Sequence, residues 1–169
     1  MVTKYSVADM WGQYNTYAAM ANKLGQATKS VVDASSLFYQ QGLETNEVLQ
    51  LTEDTMKLAT LAGLDFKDAT SQMTAAIRAF HMEMDEGAHV TDVYAELAAH
   101  AAASVNDISQ AMSATASIAH SAGMSFENTA AMLTTMIEAT QEAPKNLGTA
   151  MKAILARFTE LKDNVAGTA

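Results

Sequence analysis

The feature that most constrains this chain is the spacing of its apolar residues, which recur every three or four positions along most of its length. Between Phe66 and Met84 the apolar set is Phe66, Ala69, Met73, Ala76, Ile77, Phe80 and Met84, one stripe of an amphipathic helix. Val90, Val93, Tyr94, Leu97, Ala98 and Ala101 form a second stripe, and Phe126, Thr129, Leu133, Met136 and Ile137 a third. Leu147, Met151, Ile154, Leu155, Phe158 and Leu161 form the last. Weaker versions precede them: Val7, Trp11, Tyr14 and Ala18; Val31, Ala34 and Phe38; Val48, Leu51, Leu58 and Ala62. No stretch alternates with period two over a useful length, so the fold class is all-α with no sheet.

The breaks between stripes set the number of helices. Gly25, Gly42, Gly63, Gly87 and Gly123 each fall at the end of a helical pattern, where a left-handed residue closes the last turn. Pro144 suits a first helical position. Gly148 lies inside the last pattern, which predicts close packing or a local irregularity there. The sum is about eight short helices in one module over residues 1–169, joined by short turns.

Two of the turns share their chemistry. One reads Ala62-Gly63-Leu64-Asp65-Phe66 and the other Ala122-Gly123-Met124-Ser125-Phe126. In each, glycine closes a helix and Leu64 or Met124 packs back on it. Asp65 or Ser125 then accepts from the first N–H groups of the next helix, and Phe66 or Phe126 opens the new stripe. The likeness extends outward at a constant offset of sixty residues, through Asn46 and Asn106, Gln50 and Gln110, Thr55 and Thr115, Thr74 and Thr134, and Ile77 and Ile137. Ala-rich helices converge by composition, but glycine and phenylalanine also coincide at the turn. The reading is a duplicated helix-turn-helix unit over residues 45–80 and 105–140, with Gly63, Asp65, Phe66, Gly123, Ser125 and Phe126 as its structural turn residues.

Composition removes several classes of function. The chain has no Cys, so it can build neither a disulfide framework nor a thiolate metal site. Its formal net charge of −9 argues against direct binding to nucleic acid or anionic membrane, which needs clustered cations. Only the last helix is locally basic, with Lys145, Lys152, Arg157 and Lys162 interleaved with Glu160 and Asp163. The weakly polar stretch from Leu97 to Ala119 is interrupted by His100, Asn106, Asp107 and Gln110, so no membrane span is predicted. Residues 1–6 carry no apolar leader run.

A search for catalytic chemistry finds little. Asp92, Glu96 and His100 fall at helical spacing on one side and could supply three metal ligands, but a solvated face opposite Val93 and Leu97 explains them more simply. His81 and Asp85 read as an i, i+4 pair at a helix end. Glu138 and Glu142 stand four apart, without an aromatic wall to raise one carboxyl for acid catalysis. No nucleophile elbow, zinc helix or phosphate loop is present. The expectation is no catalytic residue, no metal and no cofactor. The Met residues, twelve in all, fall mostly on the apolar stripes and read as core.

Two runs stand out, one from Ala116 to Ala131, which contains Ser121-Ala122-Gly123-Met124-Ser125-Phe126, and one from Gly148 to Phe158. With Thr91-Asp92-Val93-Tyr94 and Ala79-Phe80-His81-Met82, they make the chain, from about Lys23 to Lys162, resemble the core domain of the phage tail tape measure, or minor tail, protein family. The resemblance implies a structural virion protein with no catalytic residues in this core. Such proteins occupy the tail tube during assembly in the bacterial cytoplasm, set its length, join the tip or hub, and leave on DNA ejection. Partners would be tail tip or hub, tail tube and tail assembly proteins, and other copies of the chain. The shortness of this sequence and its ending in Val165-Ala166-Gly167-Thr168-Ala169 suggest a segment of a longer protein. A competing expectation is a helical-repeat adaptor that binds a partner helix and has no link to a virion.

Overall fold

A computed structural model of the chain describes residues 7–166, with side chains described from residue 12 to residue 162 and at Asn164. The side chains of Val7 and Trp11, which open the first predicted stripe, and the residues around the closing segment lie outside that range. Eight α-helices succeed one another: α1 Val7–Lys23, α2 Thr28–Gln40, α3 Thr45–Ala62, α4 Phe66–Ala79, α5 Gly87–His100, α6 Val105–Ser121, α7 Phe126–Thr140 and α8 Pro144–Ala166. One 3-10 turn, Met84–Glu86, precedes α5. No strand occurs among the described residues, so the fold is an all-α array.

Most residues of the central stripes read from the sequence enter the core. Ala69, Met73, Ala76, Ile77 and Phe80 are buried, as are Val90, Tyr94, Phe126, Leu133 and Ile137. All of these except Ala69 join Phe38, Leu51, Leu58, Ile108 and Met112 in one cluster that runs through the array. A smaller cluster of Tyr17, Met20, Ala21, Val31 and Met56 ties α1 and α2 to α3. Each helix brings one apolar line, and folding back removes that area from water at roughly 25 cal/mol per Å². Thr52, Thr55, Thr70, Thr91, Thr115, Thr129 and Thr134 are also buried. Several satisfy their hydroxyls on the preceding turn, as Thr134 does on the Ala130 carbonyl at 2.8 Å.

The end of α4 and the role of Gly87 differ from the sequence reading. The stripe drawn from Phe66 to Met84 breaks at its end, because His81 adopts a left-handed conformation (φ 53) and closes α4 with a Met82 N–H to Ile77 carbonyl bond of 2.9 Å. Gly87 is therefore not a helix-ending residue. Its backbone is right-handed (φ −56, ψ −36) and it is the first residue of α5. An added Cβ there would stand 2.9 Å from Leu51 Cδ1 and 3.1 Å from Asp54 Cβ, so glycine serves close approach to α3. The other four helix-ending glycines, Gly25, Gly42, Gly63 and Gly123, all have positive φ, between 65 and 86.

Gly148 packs as its position inside a helical pattern predicts. It lies in α8, and an added Cβ would fall 2.3 Å from the Ala111 carbonyl oxygen and 2.9 Å from Ala114 Cβ. Glycine on one helix and alanines on the other let α6 and α8 approach backbone to backbone. Leu147 and Met151 are buried beside this contact.

Candidate functional site

The residues singled out at the two turns form matching local structures. Gly63 (φ 66) comes after α3, and the Leu64 N–H reaches back to the Ala59 carbonyl at 2.9 Å. Gly123 (φ 85) comes after α6, and the Met124 N–H reaches the Ala119 carbonyl at 3.0 Å. Asp65 Oδ1 accepts from the Asp68 N–H at 2.9 Å, and Ser125 Oγ accepts from the Asn128 N–H at 3.2 Å. Each side chain thus satisfies an N–H that the first helical turn leaves without a partner.

The two phenylalanines have different surroundings. Phe126 is 4% exposed and sits at the centre of an aromatic group. Its ring lies 5.6 Å from Phe80, 5.3 Å from Tyr94 and 6.2 Å from His89. Phe66 is half-buried against the smaller cluster. Tyr94 is fully buried, and burial pushes its hydroxyl well above the usual tyrosine range.

The histidines come together in pairs that sequence spacing did not show. His81 does not pair with Asp85. It meets His120 across the array, with Nδ1 to Nε2 at 2.9 Å and ring centroids at 4.6 Å. His89 Nε2 bonds Glu127 Oε1 at 2.7 Å, and that bond holds the Glu127 carboxyl below its ordinary range. Both links lie at the surface and join segments that are distant in sequence, the turn after α4 to α6 and α5 to α7.

The proposed metal trio is not assembled. His100 Nδ1 lies 2.9 Å from the Glu96 carbonyl and 3.4 Å from Glu96 Oε1, and Asp92, Glu96 and His100 are exposed. No group of three or more His, Asp or Glu among the described residues can hold a metal ion. Glu138 and Glu142 are exposed, with Glu142 beyond the end of α7.

One carboxyl is truly buried. Asp54 lies on α3 against Gly87, with Oδ1 bonded to Lys57 Nζ at 3.1 Å and Oδ2 lacking a hydrogen-bond partner. Burial raises its pKa, and Lys57 offsets that only in part. It faces the α3–α5 seam with no cleft around it, which makes it a packing element. A surface hollow of about 630 Å³ between α2 and α4 is lined by Leu37, Gln41, Lys67, Thr74, Ala75 and Arg78 among others. It is open, with a mixed polar and apolar lining and no convergent set of reactive groups.

Among the described residues the surface carries one concentrated apolar feature. Ile154, Phe158 and Leu161 on α8 are 63%, 63% and 64% exposed, at i, i+4, i+7 spacing. They leave the last predicted stripe split, with Leu147 and Met151 in the core and Leu155 half-buried against it. The other exposed large apolar residues, Tyr14, Val32, Leu61 and Met132, are spread over α1, α2, α3 and α7. Scattered single residues of that kind are ordinary, whereas a contiguous line on one helix marks a surface that can meet a partner. No helix among the described residues is long and apolar enough to cross a membrane.

The chain is 29% identical over 156 residues to the tape measure protein of Pneumococcus phage Dp-1, an alignment covering 92% of this chain and 14% of that relative. The chain thus corresponds to a small part of the relative's length. No solved structure matches it. The family model for the phage-related minor tail protein matches residues 18–169, nearly the whole chain, and the chain belongs to that family.

Proposed function

We propose that this chain is a compact module of a phage tail tape measure protein, a structural part of the virion tail with no catalytic role. Its work is docking to the tail tip or hub, or to partner copies, during tail assembly in the bacterial cytoplasm. Length measurement resides in other parts of the parent protein. The observation that carries this reading is the folding-back of the helices. A continuous helix of 169 residues would span about 250 Å, at 1.5 Å per residue. Here the longest helix, α8, has 23 residues. A ruler gains length from extension, whereas this array buries its stripes and presents surfaces.

The experiment is deletion of whole helix hairpins, such as α3–α4 or α6–α7, in an intact phage that carries the module. The expected result is failed assembly or tails of normal length. Tails shortened in proportion to the residues removed would assign measurement to this module and overturn the proposal. The alternative, an adaptor for a partner helix outside a virion, has the exposed line on α8 in its favour, but membership of the minor tail family weighs against it.

A further inference from the structure

We infer that the outer face of α8 is the seat for a further helix hairpin built like α6–α7, because the array repeats a three-helix unit whose third helix is covered by the next unit. This inference concerns architecture and stands apart from the role in the virion. The two units are α3–α4–α5 and α6–α7–α8, and the same devices recur in the same order. Glu44 with Glu47, and Ser104 with Asp107, form capping boxes at the first helix. Gly63 and Gly123 close it, and Asp65 and Ser125 cap the second. His81 and Gln141, the two non-glycine residues with positive φ among those described, end the second helix with φ 53 in both cases. Each of these pairs is sixty residues apart.

The third helix supplies the strongest correspondence. Gly87 of α5 approaches Leu51 and Asp54 of α3, and Gly148 of α8 approaches Ala111 and Ala114 of α6. The partner residues again differ by sixty, while the glycines differ by sixty-one, one residue having been inserted before the third helix. Composition alone does not reproduce a pairwise packing contact at matched positions.

The same register shows what is missing at α8. Val90 of α5 corresponds to Met151, and both are buried. Val93 and Leu97 correspond to Ile154 and Phe158. Val93 and Leu97 are half-buried against the core, whereas Ile154 and Phe158 are 63% exposed. The difference lies in the helices that come after each one. α6 and α7 pack on α5, with Phe126 set 5.3 Å from Tyr94 and Glu127 bonded to His89. Among the described residues no unit succeeds α8. In a solenoid each unit buries the face of its neighbour, and an unfilled end leaves an apolar face of this kind.

The occupant that fits is a helix hairpin with an aromatic residue just past a glycine turn, continuing the interface that α5 makes with α6–α7. Arg157 and Lys162 are exposed and flank the stripe at helical pitch. An acidic rim on the hairpin would pair with them, as Glu127 pairs with His89 on α5. Two α8 faces brought together would set these cations against each other, which disfavours a second copy docked through the same face.

The test appends a copy of residues 101–141 after Leu161, in the register in which α6–α7 succeeds His100. The extended chain is expected to gain helix in proportion, stay monomeric and melt in one transition several degrees higher. Amide exchange across residues 154–161 should slow at least about tenfold relative to the 169-residue chain. Phe158→Ser should lower the melting temperature of the extended chain by several degrees and leave the parent chain nearly unchanged. An appended segment that stays protease-sensitive, or equal effects of Phe158→Ser in both chains, would overturn the inference. So would sedimentation showing that the parent chain dimerises and that Phe158→Ser abolishes the dimer, which would give the face to a second copy.

Discussion

Replacing Gly148 by alanine should destabilise this protein, although alanine is the better helix former. The added methyl would fall 2.3 Å from the Ala111 carbonyl oxygen, 2.9 Å from Ala114 Cβ and 3.1 Å from the Ala111 carbonyl carbon. Ordinary contact begins near 3.5 Å, so the overlap with the oxygen is on the order of 1 Å. That oxygen belongs to the backbone of α6 and cannot swing aside as a long side chain would. Relief requires α8 to move away from α6, and Leu147 and Met151 then lose part of their burial. Overpacking of this kind costs about 1–3 kcal/mol, and the backbone partner places this case at the upper end. The helix-propensity gain of alanine over glycine returns about 1 kcal/mol.

The net loss is about 2 kcal/mol, which for a chain of this size lowers the melting temperature by about 4–8 °C. Gly12 is the internal control, since it is exposed within α1 and an added Cβ there meets nothing within 4 Å. Gly12→Ala should raise stability by about 0.5–1 kcal/mol. Thermal and urea unfolding followed by circular dichroism measures both. If Gly148→Ala melts at or above the parent while Gly12→Ala behaves as expected, the close α6–α8 approach is wrong, and the correspondence between Gly87 and Gly148 fails with it.

Other single residues carry predictions of their own. Gly63→Ala and Gly123→Ala meet no steric obstacle but force alanine into a left-handed conformation, and each should cost on the order of 1 kcal/mol in urea unfolding. Gln141→Gly should do the reverse and stabilise by about 0.5–1 kcal/mol, because the φ of 53 suits glycine at the end of α7. Burial raises the Asp54 pKa above its unfolded value, so the folded chain takes up a proton first and gains stability as pH falls through the folded pKa. Asp54→Asn removes that dependence. Its melting temperature should exceed the parent's most at neutral pH, with the gap closing on acidification, and a gap that widens would refute the assignment. A chelator should leave the melting temperature within about 1 °C of the untreated value, since a bound metal would stabilise the native state by mass action.

The all-α fold is legible in the sequence because each helix carries its own period and most of its own stop signals. The stop at Ser121 needs only Gly123, and the start of α8 needs only Pro144. Two boundaries escape the pattern for local reasons. The start of α6 carries a capping box, Ser104 with Asp107, whose serine and acid three residues apart are a readable signal that an Ala-rich background hides. The end of α4 carries only a weak signal, since positive φ is uncommon away from glycine even though His81 is of a type that tolerates it better than most. Gly87 then stands as the nearest glycine and draws the wrong role.

The surface on α8 shows a deeper limit. Ile154 and Leu155 are adjacent in sequence and both apolar, yet one is exposed and the other packs on the core. Periodicity says that a stripe must be covered, but not by which element, because the cover is a tertiary event. Val93 and Leu97 carry the same pattern and are half-buried, on a helix against which α6 and α7 also pack. The offset of sixty is visible in the sequence, but counted by identity it reaches only two helices. On the three-helix repeat inferred above, the third helix shares few identical residues with its counterpart and is recognised through what its glycine touches. For helices this rich in alanine, a repeat is defined less by shared letters than by where two backbones are allowed to meet. That is a property of pairs of positions, and single-sequence patterns do not record it.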